Sequence, residues 1–412
     1  MSQSLIGQTI KYLKISVTAD ELIKIAGDLV AIPSFTGQET PLAEYINSFC
    51  RTHKIPAFLQ EVEPGRFQVI ARLGPENKKP ALLLNGHLDM DPLGRDWSGD
   101  PFKIKVVGDK IYGAGIHNMK SGLTAILGAT LALKRSNLPI KKPLLLEFVV
   151  GELQGGKGTL FALKSGLTAE TAVIPEPYSV KRILTRTCGV YKFAIVVRGV
   201  TAHTSRPEEG VDAIKILRDV LNIVEKTPLK LKNSGFPSLP RLQVASIIAG
   251  RGEEHNLSGI SYCADKATAL IDLRYPPPFE PKDVNRALQK IIKVAQKAYP
   301  QADITIDHPP DSKFGVGGAD MPPMNESSNS SIVRDICSFL PQVSNFQVEE
   351  TGIALPFSYT GNDTAHLSRA GIECCLFGPR GASPDHEKHV LISEMVACAR
   401  TLAALAILRC TY

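Results

Sequence analysis

Four short apolar runs in this chain each lead into a polar residue capable of acid–base or ligand chemistry. Residues 81–84 run into His87 and Asp89, residues 144–150 into Glu152, residues 171–174 into Glu176, and residues 374–377 toward Asp385 and His386. Runs this short and continuously apolar, separated by helical stretches, predict strands buried on both faces of a mostly parallel sheet. In such sheets functional groups collect beyond the carboxyl ends of the strands. The expected fold is therefore α/β, with helices on both faces of the sheet and a site along one of its edges.

The intervening segments agree with this layering. Residues 20–31 and 40–53 have amphipathic helical spacing, and residues 119–134 are almost all apolar or small, as a helix packed deep against a sheet requires. Asn118 stands just before that helix, where a short polar side chain caps free backbone donors. Residues 189–308 read differently: the order is β-α-β-β-α-β, with alternation at Tyr191, Phe193, Ile195 and Val197 and a helix expected over 281–298. That order describes a small split, ferredoxin-like sheet with two helices on one face. The expected organisation is a discontinuous catalytic domain (1–188 and 309–412) with an inserted α+β lid domain (189–308). Residues 315–331, rich in Gly, Pro, Ser and Asn, are expected to form a surface loop.

Composition excludes several classes. A chain of 412 residues is too long for one ordinary core, which agrees with two domains. Hydrophobic content of 43% and charged content of 21% describe a soluble globular protein, and no apolar run approaches the ~20 residues of a membrane helix. The first residues lack a signal-peptide pattern, so a cytoplasmic location is expected by default. The eight cysteines sit mostly in apolar segments without CxxC pairs, which predicts free thiols. A net charge of +6, scattered and without a nucleic-acid-binding motif, argues for a small-molecule substrate rather than a nucleic acid or a membrane.

The polar residues suggest metal-assisted chemistry. His87 and Asp89, two apart after a buried strand, have the form of a metal ligand with its supporting carboxylate, and equally of a hydrogen-bonded turn. Glu152 on a glycine-rich turn is a candidate general base or an exposed turn carboxylate. Glu176, between two prolines, is held as rigidly as a ligand would be, although Pro-Glu-Pro also describes an ordinary loop.

Together these motifs resemble the zinc-dependent aminoacylase, acetylornithine deacetylase, succinyl-diaminopimelate desuccinylase and glutamate carboxypeptidase family. Supporting segments are Leu29-Val30-Ala31-Ile32-Pro33-Ser34, Trp97 with Pro101-Phe102, Gly199-Val200-Thr201-Ala202-His203-Thr204-Ser205-Arg206-Pro207, Glu254-His255-Asn256-Leu257, Asp272-Leu273-Arg274 and Gly361-Asn362-Asp363. The resemblance implies that His87 and Glu176 hold a first zinc, that Asp89 orients His87, and that Glu152 shuttles the catalytic proton. It further implies His386 as a second-site ligand, His203 as an oxyanion contact delivered across a homodimer formed by the lid, and Asn256 and Arg274 as holders of a substrate carboxylate.

Three departures bear on this. Asn118 replaces the bridging aspartate, Leu153 replaces the carboxylate ligand beside the base, and Ala114 replaces an arginine usual in the motif. Too few anions remain to balance two divalent ions, so zinc or another divalent metal is expected at no more than one per chain, held by His87, Glu176 and Asn118 or His386. The expected activity is cleavage of an amide in a small N-acyl amino acid or peptide-like substrate. Two alternatives stay open: a metal-independent catalyst of acyl transfer, cyclisation or proton transfer, and a non-catalytic small-molecule-binding relative.

Overall fold

The computed structural model describes residues 3–94, 97, 99–257, 261–314, 320–382 and 388–412. Two compact units emerge. The first comprises Met1–Arg186, Met324–Ser358 and Asn362–Tyr412, and the second Thr187–Pro323 and Tyr359–Gly361.

The first unit is built on an eight-stranded sheet. Strands Leu144–Val149, Leu82–His87, Thr171–Ile174 and Glu373–Leu376 are successive neighbours in it, all parallel. These are the four apolar runs, and their carboxyl ends therefore share one edge. Nearly every residue in them is buried, as a parallel sheet covered on both faces demands. Antiparallel strands Arg66–Leu73 and Ala57–Glu63 extend the sheet on one side, and Arg182–Leu184 and Glu350–Gly352 on the other. Helix Ser121–Arg135 is buried from Ser121 through Leu133 and packs against helices Ala19–Val30 and Ile392–Thr411. Gly128 permits that approach: a Cβ there would lie 2.4 Å from Leu22 Cδ2. A three-stranded sheet of Lys105–Val107, Lys110–Tyr112 and His389–Leu391 completes the unit.

Asn118 does not cap the long helix. The helix begins at Ser121 with Lys120 at the cap position, while Asn118 has an extended backbone (φ −127°, ψ 102°) and turns its side chain elsewhere.

The second unit contains strands Gly189–Arg198, Arg241–Gly250, Lys266–Tyr275 and Asp303–Asp307, with helices Ala213–Lys226 and Pro281–Ala298. The sheet is antiparallel, with Lys266–Tyr275 and Gly189–Arg198 central. The helices pack over Tyr191, Phe193, Ile195 and Val197. This is the expected ferredoxin-like split sheet. The unit runs past His308 to Pro323 because Val190 pairs with Met321, a bridge too short to leave a strand pattern.

All eight cysteines are free; Cys263 and Cys337 are half-buried and the others buried. Among the described residues, no helix is long and apolar enough to cross a membrane.

Candidate active site

Three strand ends and one loop converge at the edge of the parallel strands. Strand Leu82–His87 ends in a buried histidine. The His87 Nδ1 donates to the Asp89 backbone carbonyl at 2.8 Å, which turns Nε2 toward the site. The Nε2 lies 3.0 Å from Asn118 Oδ1 and 3.5 Å from Glu176 Oε1. Burial resists charging the ring, but Glu176 beside it, with Asp89 and Glu152 nearby, raises its pKa well above the ordinary imidazole value.

Glu176 follows strand Thr171–Ile174 and is buried. Two glycines fix its backbone. A Cβ on Gly122 would lie 2.3 Å from the Pro175 carbonyl oxygen, and one on Gly378 would lie 2.5 Å from the Glu176 oxygen. Only hydrogens at both positions let the Pro-Glu-Pro loop pass between them.

Glu152 opens a short 3₁₀ turn, Glu152–Gln154, after strand Leu144–Val149. The turn needs Gly151, Gly155 and Gly156, whose φ angles of 67°, 84° and 73° are left-handed. Asp89 pins it by accepting the backbone N–H of Glu152 at 3.1 Å and of Leu153 at 3.0 Å. Arg66 holds the far side through Gln154 Oε1 at 2.7 Å. Burial raises the Glu152 pKa well above the usual carboxyl value; His87 opposes this, while Glu176, Asp363 and Asp89 add to it. Glu152 is therefore a buried carboxyl and not an exposed turn residue.

Sequence reasoning passed over the polar layer beneath the site. Asp363 Oδ2 accepts the Thr159 hydroxyl at 2.9 Å; Asn85 donates to Thr159 at 3.1 Å and to Glu147 Oε2 at 3.0 Å. The Asp363 Oδ1 is buried and has no hydrogen-bond partner among the described residues. Burial, opposed by Thr159 and His87, pushes Asp363 up to about 7. His366 Nε2 donates to the Gly155 carbonyl at 2.9 Å and is kept neutral by burial. The only signal was the Asn362-Asp363 pair, which reads equally well as a turn.

The remaining expected site residues fall elsewhere. His386 lies outside the described residues. His203, Asn256 and Arg274 belong to the second unit. There, the His203 Nδ1 sits 2.8 Å from the Ser205 hydroxyl, Asn256 forms a backbone bridge with Arg251, and Arg274 grips Asp272 at 2.6 and 3.0 Å.

A pair of metal ions does not suit these donors. Leu153 offers an apolar side chain where a second carboxylate is needed, and Asn118 offers a neutral amide. Among the described residues no group of three His, Cys, Asp or Glu side chains is placed to hold a metal. Tetrahedral ligands at about 2.0–2.1 Å stand roughly 3.3 Å apart, close to the 3.0 and 3.5 Å that separate His87 Nε2 from Asn118 Oδ1 and Glu176 Oε1.

Comparison with known proteins places the chain among relatives of similar fold. A probable succinyl-diaminopimelate desuccinylase of Staphylococcus epidermidis is 24% identical over 318 residues, 71% of this chain and 77% of that protein. An N-formyl-4-amino-5-aminomethyl-2-methylpyrimidine deformylase of Halalkalibacterium halodurans is 25% identical, with 93% of each chain covered. Among solved structures, an M20 family metallo-carboxypeptidase of Sulfolobus solfataricus superposes with a TM-score of 0.73 at 16% identity, covering 93% of this chain and 98% of that one. The dipeptidase Dug1p of Saccharomyces cerevisiae superposes with a TM-score of 0.72 at 14% identity, covering 98% and 97%. Residues 83–407 match the peptidase family M20/M25/M40, and the chain belongs to that family.

Proposed function

We propose that this protein hydrolyses the amide bond of a small N-acyl amino acid or peptide-like substrate, with Glu152 as general acid–base and at most one divalent metal ion. The observation that carries the reading is the Asp89 bridge. One residue fixes both the His87 ring, through its carbonyl at 2.8 Å, and the Glu152 backbone, through its carboxylate at 3.1 Å. Such bracing sets a proton-transfer group against a ligand group, which a turn without chemistry does not require.

In this reading Glu152 takes a proton from the attacking water and returns it to the leaving nitrogen. His87, Glu176 and the Asn118 oxygen would hold the ion, and zinc is the natural candidate for that donor set. A divalent ion bound there supplies Lewis-acid polarisation of the scissile carbonyl. The second unit serves as lid and homodimer surface, with His203 contributing to the oxyanion and Asn256 and Arg274 to a substrate carboxylate. Arg274 must share its guanidinium with Asp272 to do so.

A second reading, metal-independent proton transfer on the same scaffold, is favoured by the 3.0 Å approach of Asn118 to His87. A hydrogen bond there completes the cluster without a cation.

Elemental analysis of the purified protein, paired with a panel of N-acyl amino acids with and without chelator, separates the two. Stoichiometric metal, and turnover lost both to chelation and to Glu152→Gln, are expected. Turnover that resists chelator but needs Glu152 would replace the first reading with the second. A protein that turns over nothing and ignores Glu152→Gln would be a binding relative.

A further inference from the structure

Two adjoining cavities open beside Asn118 within the first unit. The smaller, about 360 Å³, is lined by Asn118, His117 and Leu93. The larger, about 830 Å³, is lined by Tyr112, Asp100, Lys103 and Lys105. Trp97 and Lys388 line both and form the divide, the Lys388 ammonium standing 5.9 Å from the Trp97 ring. The larger volume falls in the range of small-molecule sites, about 300–1,000 Å³.

The charge on this wall is one-sided. The described residues of the larger cavity include Lys103, Lys105 and Lys388 against one acid, Asp100, whose carboxylate already accepts the Phe102 backbone N–H at 2.9 Å; Asp91 lines the smaller cavity. The lysines are not scattered over a mobile surface. Lys105 pairs in register with Tyr112, Tyr112 pairs with His389, and Lys388 immediately precedes that strand and bonds through its carbonyl to Gly113 at 3.1 Å. The three-stranded sheet thus aims two ammonium groups and an aromatic ring into one concavity. Lysines on a convex hairpin would simply be solvated; on a concave wall backed by Trp97 and Tyr112 they lower the cost of holding an anion away from bulk water.

We propose that this basic cavity binds an anionic arm of the substrate, ending in a carboxylate or phosphate, that leaves the site past Asn118 and lies along Trp97. The proposal deepens the amide-hydrolase reading and rests on it for the position of the scissile bond.

Calorimetric binding to the Glu152→Gln protein tests it without turnover. Three ligand pairs differ by one anionic group: N-glutarylalanine against its side-chain amide, N-acetylglutamate against N-acetylglutamine, and N-acetylphosphoserine against N-acetylserine. At least one member with the added anionic group is expected to bind about tenfold tighter than its less charged partner, a difference within reach of a charge-assisted hydrogen bond. Adding Lys103→Gln and Lys105→Gln should shrink that preference below about threefold, and adding Lys388→Gln alone should weaken it. Lys103 and Lys105 are exposed, so the fold should survive, and a thermal melt checks this. No preference in any pair, or one that persists without the lysines, overturns the proposal. If the preference holds and the wild-type protein still fails to cleave the favoured ligand, the hydrolase reading falls and the anion cavity stands.

Discussion

The Asp89 carboxylate accepts the backbone N–H of Glu152 at 3.1 Å, while the backbone carbonyl of the same aspartate accepts from His87 Nδ1 at 2.8 Å. The His87 ring and the Glu152 turn are thereby held to one small loop. Asp89→Asn keeps the carbonyl contact but replaces one of the two oxygens that receive Glu152 and Leu153 with an NH₂ donor. The Glu152 turn should loosen, with kcat down by about 10–100-fold, the penalty common for losing a group that orients a metal ligand. Steady-state kinetics beside a circular dichroism spectrum would check it; an Asp89→Asn enzyme with wild-type kcat would remove the bracing argument.

Restoring charge should restore a second metal. The side chain of Asn118 is an amide and that of Leu153 an alkyl group, so together they remove two anions from a cluster that already holds His87 and Glu176. The double substitution Asn118→Asp and Leu153→Glu is expected to raise bound zinc from at most one to two per chain, measured by elemental analysis after dialysis. Unchanged stoichiometry would place the cause of the loss elsewhere in the site.

The Pro175–Glu176 loop tolerates no bulk. A Cβ on Gly122 would sit 2.3 Å from the Pro175 carbonyl oxygen and 2.8 Å from Met119 Cε. Met119 can move, but the backbone oxygen cannot move without shifting Glu176. Gly122→Ala should cost about 1–3 kcal/mol by overpacking and reduce metal affinity in step. Gly166→Ala is a poor control because its φ is 86°, whereas Gly7→Ala, inside helix Gln3–Ser16 with nothing within 4 Å, should leave zinc affinity unchanged and raise stability by about 0.5–1 kcal/mol. Denaturation midpoints and zinc titration read the two effects separately.

The sheet was legible because a parallel strand buried on both faces has no polar alternation to confuse it. Leu82, Leu83 and Leu84, or Leu144, Leu145 and Leu146, have few other uses. The edge that carries the candidate site followed from those strands, since His87, Glu152 and Glu176 come within three residues of the strand ends. Asn118 does not act as the cap the sequence predicts because capping residues are recognised by type and place, and the helix starts at Ser121, two residues after the apolar run begins. Asp363 was missed for a different reason. Its partner Thr159 is 204 residues away, and no local pattern marks an aspartate that bonds across the sheet. The end of the second unit at Pro323 depends on a single bridge between Val190 and Met321, which leaves no periodic trace.

Glu147 should make the protein less stable as pH rises, and one isosteric change should show it. The carboxyl is fully buried in strand Leu144–Val149, and burial pushes it up to about 7. The Asn85 amide at 3.0 Å opposes that shift, and the nearby Asp363 carboxyl adds to it. In the unfolded chain the group titrates at its ordinary value of 4.5. Below 4.5 both states are protonated and the group's contribution is fully present. As pH climbs toward 7 the unfolded chain gives up its proton first, so the folded state binds more protons and stability falls. The full effect is on the order of 3 kcal/mol at most. Glu147→Gln keeps an oxygen for Asn85 and never ionises. It should leave the melting temperature nearly unchanged at pH 5 and raise it by a few degrees at pH 8. Asp363, also held at about 7, contributes a decline of the same sign in both proteins, so the difference between them reports Glu147 together with its coupling to Asp363. Equal melting temperatures at both pH values would mean that Glu147 is already solvated or paired in a way its burial does not suggest.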